Sequence, residues 1–129
     1  MKTIAALFLL LHGLVHGILA MVPDPNTPEA AFATFFSRSW LLAGLGLPES
    51  AGRVVAIALA AAATIGFIAA GLALLDILVP FDWWRALAIA SAAVSLLLLV
   101  IFWNLYLIVG VAIDVVILVT LIFTDWTPE

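Results

Sequence analysis

The chain has 129 residues, 67% of them hydrophobic and 9% charged, with a formal net charge of −4 and a mean hydropathy of +1.37. A small soluble core cannot absorb so apolar a composition, so lipid is the expected solvent for most side chains. Four Lys and Arg residues leave no basic run for nucleic acid, and the lack of cysteine excludes disulfides, thiolate metal sites and cysteine catalysis.

A membrane-crossing helix needs about 20 apolar residues. Four spans with short connections therefore account for residues 1–129 as one integral membrane domain. The first predicted span, about residues 3–22, ends at Pro23, Asp24 and Pro25, where a helix cannot continue. A cleaved signal peptide, with Lys2 as its basic end and Ala20 at the cleavage position, is the competing reading. The length of the apolar run and its histidines and glycines favour a retained helix.

Residues 23–52 are the one long connection. Thr27, Pro28 and Glu29 read as an N-cap followed by proline at the first helical position. Phe32, Phe35, Phe36 and Trp40 then recur at helical spacing with Ser37, Arg38 and Ser39 between them. The pattern predicts an amphipathic interfacial helix over about residues 28–47, ended by Gly44, Gly46 and Pro48. The second span is expected over about 53–79, stopping at Pro80, and the third over about 82–102. A turn at Trp103, Asn104, Leu105 and Tyr106 divides it from the fourth, about 107–123. Trp83, Trp84, Trp103, Tyr106 and Trp126 all fall at these ends, where aromatic residues favour the membrane–water boundary. The basic residues balance across the membrane. The reading adopted puts both termini inside, in a bacterial cytoplasmic membrane, and the tie also permits an antiparallel homodimer.

Polar groups within such spans mark sites, because hydrocarbon offers them no water. On a wheel of about 100° per residue, His12, Gly13, His16, Gly17 and Ala20 share one side of the first span. Leu11, Leu14, Val15 and Ile18 share the other. The small residues at 13 and 17 invite close approach of another helix, so the histidines are expected to face protein. Asp114 lies mid-way along the fourth span with Gly110 one turn before it. With the first and fourth spans antiparallel, His12 and Asp114 each lie about nine residues from the same end and share a depth, with His16 about 6 Å further out. His12, His16 and Asp114 are therefore the expected ligand or proton site, with His12 facing Asp114. Ser91, Ser95, Asn104, Asp76 and Arg38 are secondary candidates. Bland roles compete for each: self-bonded helical serines, a helix-end Asp76 pairing loosely with Arg85, and Arg38 as an interfacial cation. Gly13, Gly17, Gly66 and Gly110 are expected at helix contacts. No metal or other cofactor is expected; were a metal bound, His12 and His16 at i, i+4 with Asp114 would be its ligands.

The run His12-Gly13-Leu14-Val15-His16-Gly17, the Phe102-Trp103-Asn104 turn, and Gly110 followed by Asp114 together resemble the small bacterial four-helix membrane proteins described as DoxX-like. That resemblance implies a four-helix fold, and most such relatives carry no assigned activity.

The expected function is binding or passage of a small lipophilic or protonatable molecule at the mid-membrane His/Asp site. The alternative is a structural or accessory subunit, in a homodimer or larger membrane complex, whose His–Asp pair only locks helices together. An enzyme using His and Asp as acid and base ranks last, because no nucleophile, phosphate loop or cofactor motif accompanies them.

Overall fold

The computed structural model describes residues 1–20, 36 and 39–128. Thr27, Pro28, Glu29, Phe32, Phe35 and Arg38, and with them most of the expected interfacial helix, lie outside the described residues. Helices α1 (Lys2–Ala20), α2 (Trp40–Gly44), α3 (Glu49–Leu74), α4 (Trp84–Ile101) and α5 (Ile108–Phe123) follow in order. Single 3₁₀ turns at Phe81–Trp83 and Leu105–Leu107 lead into α4 and α5. No strand occurs among the described residues. Four segments are long and apolar enough to cross a membrane: Lys2–Ala20, Glu49–Leu74, Phe81–Ile101 and Leu105–Phe123.

The four long helices pack in sequence order, α1 on α3, α3 on α4 and α4 on α5. Each neighbouring pair is antiparallel. Gly13 lies against Phe67 while Gly71 lies against Ala6 and Leu10, and Gly110 lies against Leu99. The row curls so that α1 and α5, also antiparallel, meet through side chains without an extended backbone contact. Two apolar clusters fill the interior. One gathers Leu9, Phe67, Leu74, Trp84, Ile117 and Leu121; the other gathers Ala56, Ala60, Leu98, Leu99, Phe102 and Leu107.

The short α2 is held to the end of the bundle. Ser39 accepts from Leu42 N (3.1 Å) as its N-cap and donates to Ile101 O (2.7 Å), while Trp40 Nε1 donates to Val100 O (2.8 Å). The last carbonyls of α4, which have no intrahelical donors, are thereby satisfied. Gly46, at φ 76°, ends α2 as expected from its glycines.

Helix α3 departs from the expected 53–79. It starts at Glu49, whose carboxylate favours the positive helix end, and stops at Leu74, short of Pro80. The stop is a reversal: Asp76 takes φ 59°, its N–H bonds to Ala73 O, and that of Ile77 bonds to Leu72 O, both at 3.0 Å. This pattern closes a helix with one left-handed residue, and a short polar side chain tolerates that conformation. The chain must reverse there because Leu74 and Trp84 share one buried cluster. A second left-handed residue, Leu78 (φ 61°), stands almost fully in the open. Helices α4 and α5 and the turn between them cover about the residues expected of the third and fourth spans.

Candidate functional site

The placement of the histidines begins with glycine. A Cβ on Gly13 would lie 2.8 Å from Phe67 Cβ and 3.1 Å from Thr64 O, so the backbones of α1 and α3 touch. With that seam fixed, the 3.6-residue period turns His12 and His16 into the bundle. Leu11, Leu14, Val15 and Ile18 point out, each roughly half exposed or more.

Three helices then supply one hydrogen-bonded chain. His12 Nε2 lies 2.9 Å from Asp114 Oδ1, Ser95 Oγ donates to Asp114 Oδ2, and Ser95 Oγ lies 2.9 Å from His16 Nε2. Asp114 and Ser95 are fully buried and His16 is 2% exposed. His12 and Asp114 thus stand in ion-pair geometry, at the shared depth that the antiparallel arithmetic anticipates. Donor accounting orients the chain. A hydroxyl has one proton; Ser95 gives it to Asp114, so His16 must donate to Ser95 through Nε2–H. In the neutral ring Nδ1 of His16 is then a lone-pair acceptor. It is buried without a hydrogen-bond partner, as is Thr64 Oγ1.

Aromatic rings hold the two imidazoles. Phe67 meets His12 edge-on (4.8 Å, 79°) and stacks on His16 (6.1 Å, 9°), and Phe8 stacks on His12 (5.9 Å, 5°). Neither phenylalanine carries a sequence signal for this role. Phe8 does lie four residues before His12, on the same helical face.

The other candidates separate from this centre. Ser91 donates to Leu87 O (2.6 Å) on its own helix and faces Gly66, where a Cβ would come within 2.1 Å of its hydroxyl. Asn104 accepts from Tyr106 N (3.0 Å) and caps the turn before α5. Asp76 is no longer on the face of α3, because it forms the reversal after it, and it makes no ion pair with Arg85. Arg85 reaches instead to Leu121 O and Thr124 O, the free carbonyls at the end of α5. A Cβ on Gly17 would lie 3.4 Å from the Thr64 side chain, and one on Gly110 3.1 Å from Leu99 Cδ1. Gly71, against Leu10 and Ala6, is an equally close contact that the sequence reading missed.

Beside the polar chain, between α1 and α5, runs a cavity of about 170 Å³. Its wall is mostly apolar, with Ala5, Phe8 and Leu9 from α1 and Val116, Ile117 and Leu121 from α5, and α5 also contributes Thr120. Trp84 and Trp126, packed edge to face at 6.1 Å, line it at the end where residues 1 and 124–128 lie. Phe8 belongs both to this wall and to the stack on His12. Comparison with protein-family models, curated proteins and solved structures gives no match to this chain.

Proposed function

We propose that this chain is a multi-pass integral membrane protein of the bacterial cytoplasmic membrane that binds a small lipophilic or protonatable molecule. The chain of that molecule occupies the cleft between α1 and α5, and its polar end turns towards His12 and Asp114. The DoxX-like resemblance and the inside placement of both termini belong to the same proposal. Phe8 is the observation that carries it, since one ring joins the apolar cleft to the buried His–Asp chain. A carboxylate and two histidines are expensive in the middle of a bilayer, and such groups are kept where they work.

Decanol and decanoic acid, a neutral and a protonatable probe, test the reading by thermal shift in detergent micelles. Both are expected to raise the melting temperature of the wild type, and Ala5→Trp, which fills the cleft, is expected to abolish the effect. His12→Ala and Asp114→Asn should weaken it. No shift in the wild type, or equal shifts in all three variants, would defeat the proposal.

A structural or accessory subunit is the second reading. It is favoured by the way His12, Asp114 and Ser95 satisfy one another without any ligand. It requires a second copy or a larger complex that persists through purification in mild detergent.

A further inference from the structure

The i, i+4 histidines and the carboxylate opposite them form a set of a different kind when their donor atoms are considered together. One donor atom from each of His12, His16 and Asp114 lies within 4.8 Å of the other two, and all three residues are buried. Three ligands about 2.0–2.1 Å from one zinc ion in tetrahedral array are roughly 3.3 Å apart. The His12–Asp114 distance of 2.9 Å is a little shorter than that, so this pair must open slightly and release its shared proton to admit the ion, while His16 closes in. Phe67 packs against both imidazoles and Phe8 stacks on His12.

We propose that His12, His16 and Asp114 bind one divalent transition-metal ion, zinc being the best match, through two imidazole nitrogens and a carboxylate oxygen. The donor set selects the class. Calcium and magnesium need six or more oxygens, which this pocket lacks, and copper(I) prefers sulfur ligands, which a chain without cysteine does not offer here. Two imidazoles and one carboxylate make the three-ligand arrangement of an open site, whose fourth position takes water or another small ligand. Charge points the same way: one carboxylate does not neutralise a doubly charged ion, and a hydroxide in the fourth position completes the balance. Ser95, now bonded to both Asp114 and His16, is the positioning residue, orienting the carboxylate from behind. The ion replaces the expectation of a cofactor-free protein. It uses the same side chains as the proposed centre but does not rest on a ligand in the cleft.

The test uses the full chain in detergent and metal alone, so its failure and that of the probe-binding reading are separable. Cobalt(II), a spectroscopic stand-in, is expected to bind once per chain with the intense visible bands of a four-coordinate site and to be displaced by one equivalent of zinc. His16→Gln and Asp114→Asn should each weaken binding at least tenfold, and Ser95→Ala by less. Zinc-edge X-ray absorption on the wild type guards against variants that misfold, and two imidazole nitrogens are expected in the first shell. Absence of saturable binding at one ion per chain, a first shell of oxygen alone, or wild-type affinity in folded His16→Gln and Asp114→Asn would overturn the proposal.

Discussion

At Asp114 two donors converge on one carboxylate, from His12 and Ser95, in a position with no access to water. Removing the carboxylate strands both donors, and an unmade buried hydrogen bond costs about 1–3 kcal/mol. With two donors stranded, Asp114→Ala is therefore expected to lower stability by about 2–6 kcal/mol in reversible unfolding from micelles. Asp114→Asn, which keeps one acceptor, should lose less. The pair itself was legible in the sequence, because two polar positions at one calculated depth in otherwise apolar helices have few ways to be satisfied. The middle of the chain was not. Ser95 and Ser91 look alike in sequence, each on α4 beside small residues, yet Ser91 bonds its own helix and Ser95 joins His16 to Asp114. The difference lies in which residue of α5 stands opposite, and that depends on helix rotation.

Among the elements, the helix seams make sharper predictions than the spans. A Cβ at Gly66 collides only with the Ser91 side chain, whereas one at Gly13 meets the α3 backbone carbonyl of Thr64 as well as Phe67 Cβ. Gly66→Ala is thus expected to destabilise the protein and Ser91→Ala to restore much of the loss, a coupling that a double-mutant cycle measures. Gly13→Ala should destabilise at least as much with no single side-chain rescue, since backbone cannot rotate away. The turn after α3 offers the opposite sign. Leu78 holds a left-handed backbone, a conformation costing an L-residue roughly 1–2 kcal/mol, and its side chain has little packing to lose. Leu78→Gly should leave the melting temperature unchanged or raise it, corresponding to a gain of up to about 1 kcal/mol. This turn also marks where sequence reading fell short. Proline announces where a helix cannot go on, but the reversal at Asp76 uses backbone hydrogen bonds that no residue pattern announces.

For the molecule as a whole, four apolar segments and antiparallel neighbours put residues 1 and 124–128 at the same end. The four long helices were legible because hydrophobicity over about 20 residues is a strong signal, and the terminal aromatics reinforce it. The proposed topology has a direct check, since the chain lacks cysteine. Thr3→Cys and Asp125→Cys, made singly in intact cells, are expected to resist a membrane-impermeant thiol reagent, while Leu47→Cys reacts. Reaction at Thr3→Cys or Asp125→Cys would place that terminus outside. The meeting of the first and last helices also has a bearing on biosynthesis. His12 waits 102 residues for its carboxylate, so the glycine-lined pair of α1 and α3 has both its helices synthesised before Asp114 exists. Assembly of the polar centre therefore waits for the last of the four long helices, and any nascent chain cut short of α5 carries its histidines unanswered.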